Sequence, residues 1–236
     1  MTIKRSIMLA LTMQLVSTAA FSASGFLNQI CTPSSAYTGS TSLLPVVGAD
    51  FTTVASVTNG TQTISFSPSL RTQTVPNGGW ATWNAPPATE SATPRVLRTV
   101  GSSTATLTLA VPANTFGFEI EPDLFGVHTV TANFYGGNVL IGVVSLTVEG
   151  NSGALIAGGS DNTLITSVVI TVPGTDFAIA QLRYGGFNLS TPFCGYNNFI
   201  LQWRFGLLRD SERPGHRVLR NTLFDAEIAE VRRDRR

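Results

Sequence analysis

The sequence predicts an all-β protein: an antiparallel two-sheet β-sandwich, jelly-roll-like, with a short helical or disordered C-terminal tail. Three observations predict it. Apolar residues alternate with Thr, Ser and Asn from about residue 43 to residue 203, the period of a strand with one buried face. No segment in that stretch carries a convincing helical period. Turn formers, with 22 Gly and 12 Pro among 236 residues, cut the pattern into some nine to eleven short runs. One apolar and one polar face per strand implies antiparallel sheets that each bury a single side. Two sheets packed face to face is the economical way to bury them, and a jelly-roll sandwich is preferred to a closed barrel.

The chain opens like an export signal, read here as residues 1–22. Lys4 and Arg5 form a basic start, residues 7–16 a short apolar stretch, and Thr18-Ala19-Ala20 and Ala20-Phe21-Ser22 supply small residues for cleavage. A buried first strand or helix is the alternative reading. Export implies a secreted, extracellular or periplasmic location. It also implies an oxidising one, in which Cys31 and Cys194, the only cysteines, pair as a disulfide closing the domain at residues 25–203. Two buried thiols are the alternative. No segment approaches the ~18 apolar residues of a membrane-spanning helix.

The strand runs follow in order. Asn59-Gly60, between residues 51–58 and 61–67, is the strongest hairpin signal, because a type I′ turn needs positive φ at both central positions. Ala105, Leu107, Leu109 and Val111 share one face and threonines the other; Phe116, Phe118 and Ile120 alternate with Gly117, Glu119 and Glu121. His128, Val130, Ala132 and Phe134 alternate with Thr129, Thr131, Asn133 and Tyr135, so His128 belongs to a core edge rather than to catalysis. Gly136-Gly137-Asn138 is a second turn, and residues 140–148 and 164–172 repeat the alternation.

Within these runs, Phe116-Gly117-Phe118-Glu119-Ile120 and Val127-His128-Thr129-Val130-Thr131-Ala132-Asn133-Phe134-Tyr135 resemble a pattern of secreted bacterial jelly-roll domains, including those of exported proteins with a PEP-CTERM sorting tail. The likeness covers about residues 100–186 and takes in Ile165-Thr166-Ser167-Val168-Val169-Ile170-Thr171 and Asp176-Phe177-Ala178-Ile179-Ala180-Gln181-Leu182-Arg183-Tyr184. The resemblance implies an extracellular, often carbohydrate-associated binding module. This chain has Ala180 where such domains commonly carry an acid, and it shows neither a Pro-Glu-Pro motif nor a terminal hydrophobic span.

Charge is scarce and unevenly placed. Between the signal and Arg204 lie only eight acids and four arginines (Arg71, Arg95, Arg98, Arg183), whereas the tail, residues 204–236, carries nine arginines and six acids. The near-zero net charge gives no reason to expect nucleic acid as a partner. In the tail, Asn221 caps a helix with Phe224, Ile228 and Val231 on a narrow stripe; a solvated extension or an altered reading frame are the competing accounts.

Four sets of residues are candidates for chemistry. Glu119, Glu121 and Asp123, at i, i+2 and i+4, are hard oxygen ligands for Ca²⁺ or else a solvated strand face; Asp161 and Asp176 are more remote ligands. The same carboxylates could form a glycosidase pair, but the sequence gives no sign that either acid is buried. Trp80 and Trp83, in a loop dense in Gly and Pro, are flat platforms on which a sugar ring stacks, or else plugs of the sandwich. Tyr135 and Asn133 complete that ligand-binding set. The resulting expectation is an exported binding module for a polysaccharide or cell-surface glycan, without catalysis and without a cofactor other than Ca²⁺. A structural or matrix protein is the alternative, and a glycoside hydrolase a distant third.

Overall fold

A computed structural model of the chain describes residues 27–30, 32–160 and 163–186. The signal segment, Cys31, Cys194, Asp161 and the tail therefore lie outside the described residues, and with them the expected cleavage, disulfide and capped helix. Apart from one short helix, the regular structure of the described part is all antiparallel strand. In order these are β1 (Leu27–Ile30), the short helix α1 (Ser35–Ser40), β2 (Thr41–Leu43), β3 (Thr53–Thr58), β4 (Thr63–Thr74), β5 (Arg95–Arg98), β6 (Thr104–Ala113), β7 (Thr115–Pro122), β8 (Val127–Gly136), β9 (Val139–Glu149), β10 (Ala154–Ser160), β11 (Ile165–Thr171) and β12 (Phe177–Gly185).

The ladders run through one continuous sheet in the order β1-β10-β7-β12-β5-β4-β6-β11-β8-β9, with β2 on β12 and β3 on β4. The sheet curls until its two ends nearly meet. Leu27 of β1 fills the gap between β9 and β10: a Cβ on Gly142 would lie 2.4 Å from Leu27 Cβ, and one on Gly158 2.7 Å from Leu27 Cδ1. The sheet is thus barrel-like, and two separate stacked sheets are not confirmed. The cause is β4. Its twelve residues pair with β6 through Ile64 to Ser67 and with β5 through Arg71 to Gln73, so one strand joins both halves.

The last eight strands pair as nested ladders around the β8–β9 hairpin, with β7 on β10, β6 on β11 and β5 on β12. Their inward residues form a single core that includes Phe116, Phe118, Ile120, Phe134, Ile170 and Phe177. Alternation predicted most of it. Val111, placed on the apolar face by the pattern, is exposed instead: the backbone N–H and C=O of Val111 bond the Gln62 side chain at the barrel rim.

Both predicted turns form, each with its own geometry. Between β3 and β4 the connection is four residues long: Asn59 Oδ1 accepts from the backbone N–H groups of Thr61 and Gln62, and Gly60 takes φ +87°. Asn59 has no positive φ, so this is not a two-residue type I′ turn. At the β8–β9 hairpin, Gly136 faces Val139, and Gly137 (φ +61°) takes the first central position, which a type II′ turn reserves for glycine. The helix α1 was not foreseen. It is capped by the Ser34 hydroxyl, which accepts from Tyr37 N at 3.3 Å.

Candidate functional site

Strand β7 is buried along its whole length, on both faces. Phe116, Phe118 and Ile120 point into the core. The opposite face, Gly117, Glu119 and Glu121, looks outward, yet Glu119 is 0% and Glu121 1% exposed. The expected solvated strand face is therefore wrong, and the reason is the long β4–β5 connection. Residues 75–94 fold flat over β7 and β12 and seat a second, smaller core of Val75, Trp80, Val96, Ala178 and Ala180, with Trp83 packed against it.

The carboxyl groups fasten this loop. Trp83 Nε1 donates to Glu119 Oε2 at 3.0 Å, the Glu90 backbone N–H donates to Glu119 Oε1 at 2.5 Å, and the Thr82 hydroxyl donates to Glu121 Oε1 at 2.5 Å. Asn84 Nδ2 reaches the Gly153 carbonyl at 3.2 Å, and the Trp83 ring packs on Gly153, where a Cβ would lie 3.0 Å from Trp83 Cε2. Three buried polar atoms of this cluster are outside hydrogen-bond distance of a partner: the Tyr37 hydroxyl, Trp80 Nε1 and Glu121 Oε2.

An irregularity in β12 supplies the counter-charge. The register with β7 slips between Ala180 and Arg183, and Gln181 takes φ +50°. Before the slip Phe177 and Ile179 face the core; after it Leu182 does, so Arg183 turns outward, as bulges characteristically re-aim side chains. There its guanidinium bonds both oxygens of Glu90, at 2.7 Å each, and donates to the carbonyls of Thr38 and Thr41 around α1. The fully buried Tyr37 of α1 completes the cluster, its hydroxyl pushed far above the usual phenol range by burial and by Glu90.

Burial dominates the electrostatics of the two glutamates. Loss of water pushes Glu119 up to about 7, with the Trp83 and Glu90 N–H groups and then Arg183 opposing and the Glu90 charge adding. Loss of water likewise pushes Glu121 up to about 7, against the Thr82 hydroxyl and the Trp80 indole and with Asp123. Two carboxyls that hold protons near neutrality could serve as acid or base, and with the loop shut both are covered.

The metal expectation fails on geometry. Asp123 is exposed and bound by Arg98 at 2.8 Å, while Glu119 and Glu121 point beneath the loop. Among the described residues no group of His, Cys, Asp and Glu could hold a metal ion. Asp176, a more remote candidate ligand, is also engaged: it accepts from Gly101 N, Ser102 N and Arg98.

The four expected ligand contacts are divided between two walls. Trp80, 3% exposed, cannot offer a face to a sugar; it is buried among alanines and covered by Arg98, whose guanidinium lies 5.7 Å from the ring centroid. Trp83 is half-buried, its N–H spent on Glu119. Asn133 and Tyr135 lie elsewhere, on β8, separated from β7 by β12, β5, β4, β6 and β11. No protein-family model matches the chain, and no curated protein matches it.

The outward face around Asn133 and Tyr135 is the other surface of interest. Cross-strand registers set its side chains in rows. One row reads Ser65–Thr108–Ser167–Tyr135, the next Ser67–Thr106–Val169–Asn133–Val143, and a third Thr104–Thr171–Thr131–Ser145. No position in these rows is charged. Glu90, Arg183, Thr82 and Tyr37 were missed as members of the buried cluster. Sparse charge was their one signal in the sequence: in a body with four arginines, Arg95, Arg98 and Arg183 each pair with an acid.

Proposed function

We propose that the chain is an exported, non-catalytic binding module of the secreted bacterial jelly-roll kind, whose ligand is a neutral polysaccharide held on the face around Tyr135 and Asn133. The nested pairing of β5 to β12 supports a jelly-roll wrap, with β10-β7-β12-β5 and β6-β11-β8-β9 as its two halves. The observation that carries the function is the charge-free hydroxyl grid on the second half. Neighbouring rows repeat at about 4.8 Å across strands and about 6.8 Å along them. Such a surface exchanges hydrogen bonds with sugar hydroxyls and gives an ionic ligand no counter-charge, while Tyr135 adds an apolar ring with a polar tip.

The test is retention of the mature protein on a panel of insoluble neutral polysaccharides, repeated with Tyr135→Ala and Asn133→Ala. Retention should fall about tenfold or more in each variant, the loss of about 1.4 kcal/mol or more, with the circular dichroism of the sheet unchanged. Silence across the panel, or retention indifferent to both substitutions, overturns the reading.

A matrix-forming protein is the second reading, and one observation favours it. Val139, Leu140 and Val143, 47%, 47% and 51% exposed, line the end strand β9 beside this face, where soluble proteins usually place charge. Concentration-dependent sedimentation that Val143→Lys abolishes would favour this reading over the first.

A further inference from the structure

The β4–β5 loop is held by groups whose charge changes near neutrality, and its geometry determines which charge state it tolerates. Glu119 receives its two N–H donors from the loop itself, and the Glu90 carboxylate, the Arg183 guanidinium and the Tyr37 hydroxyl face it from the loop, β12 and α1. Glu121 receives the Thr82 hydroxyl, with the Trp80 indole N–H beside it, and Asp123, itself bound by Arg98, acts on it from just past the end of β7. Val75, Val96, Ala178 and Ala180 pack with Trp80 in the small apolar core of this layer.

We propose that residues 75–94 form a clasp that stays shut while Glu119 and Glu121 hold protons and releases when both ionise, uncovering the Trp80 and Trp83 indoles. This is independent of the polysaccharide reading. A protonated Glu121 carries no charge to desolvate and keeps its contact with the Thr82 hydroxyl, which can accept as well as donate. Ionising both buries two like charges whose donors are the Trp83 and Glu90 N–H groups on one and the Thr82 hydroxyl, with the Trp80 indole beside it, on the other. No salt bridge reaches either among the described residues, and lifting the loop admits the water that solvates them. The two glutamates are neighbours on one strand face, about 6.8 Å apart along the backbone, so ionising one opposes ionising the other while the loop stays down. Arg183 offsets the Glu119 charge only in part, because the Glu90 carboxylate paired with it acts on Glu119 in the opposite sense.

The sign of the pH dependence follows. Both groups titrate higher with the loop shut than in water, so the stabilisation is complete below the ordinary carboxylate range and is lost as pH rises through about 7. The neutral-to-alkaline side is the open side.

The experiment uses the full chain carrying Trp203→Phe, which leaves Trp80 and Trp83 as the only indoles. Acrylamide quenching is followed from about pH 5 to about pH 9, with far-ultraviolet circular dichroism recorded alongside. Quenching should rise severalfold with a midpoint near 7 while the sheet signal holds. Adding Glu119→Gln and Glu121→Gln together should flatten the profile at its acid-side level. If that variant does not fold, Glu121→Gln alone keeps a side chain able to bond Thr82, and it should reduce the transition to a shallower, single-group step. A pH-independent profile in the parent overturns the proposal. So does a transition that survives the glutamine substitutions unchanged, or one in which the sheet signal is lost together with the indole burial, since the whole fold would then be titrating.

Discussion

At the residue scale, Arg183 does the most to fix the outer layer. Its contacts reach Glu90 in the loop and the carbonyls of Thr38 and Thr41 beside α1, with the two charged side chains 13% and 12% exposed. Removing one member of a pair so buried leaves the other without compensation, which costs about 3 kcal/mol. Arg183→Met should therefore lower urea-unfolding stability by about that amount. Adding Glu90→Gln should recover part of the loss, because the orphaned charge goes with it. Asp123 makes the opposite point. Its carboxylate is exposed and engaged by Arg98 while the glutamates are buried beneath the loop, so millimolar Ca²⁺ should leave the melting temperature unchanged in a thermal-shift assay. Gly150 is constrained by space alone: a Cβ there would lie 1.8 Å from the Leu124 carbonyl oxygen. Gly150→Ala should destabilise by about 1–3 kcal/mol, the usual cost of overpacking, read from the same urea curves.

At the element scale, the decisive parts are those that depart from regular alternation. The shift in β12 between Ala180 and Arg183 turns a core strand into one that also serves the outer layer, with Ala178 and Ala180 small enough for Trp80 to lie on them. The resemblance singled out Ala180, and the register places it directly beside Glu119. An acid at that position would meet a carboxyl that is already buried, and the small methyl instead makes room for the loop. The β1–β9 seam depends on the same economy of size. Leu27 fits because residues 142 and 158 have no side chain, so Gly158→Val should displace β1. The melting temperature should then fall by several degrees, in line with an overpacking cost of about 1–3 kcal/mol.

At the scale of the whole molecule, charge is sorted by wall. The ion pairs Arg95–Asp50, Arg98–Asp123, Arg98–Asp176 and Arg183–Glu90 all hold loops or the outer layer near β5, β7 and β12. The rows across β6, β11 and β8 carry none. A ligand held by hydroxyls and one tyrosine ring gains little from Coulomb attraction, and salt screens only that term. Polysaccharide retention should thus be unchanged between about 0.05 M and about 0.5 M NaCl. A steep loss with salt would point to an ionic contact that the proposed face does not contain.

Much of this was legible in the residues themselves. The inward faces of β6, β7, β8 and β11 follow from strict alternation, because a strand has period two whatever it packs against. Both turns were marked by glycine, and Gly60 and Gly137 do take positive φ, but Asn59 does not, and the four-residue length there depends on its side chain capping two backbone N–H groups. The candidate site was legible only as a set of names. Glu119 and Glu121 were singled out by spacing and Trp80 and Trp83 by loop composition, but nothing local says that the loop lies on the strand. That contact joins residues about forty positions apart in the chain, and each partner alone resembles an exposed polar residue or an exposed indole.

The sequence by itself determined the class of the protein, the faces of its main strands and the poverty of charge in its body, since each depends on neighbours one or two residues away. Only the tertiary structure decided that β4 joins the strands into one barrel-like sheet, that the tryptophans are covered, and that two carboxyls lie buried beneath them. Those outcomes depend on which surface loses its water to which other surface, and chain order does not specify that.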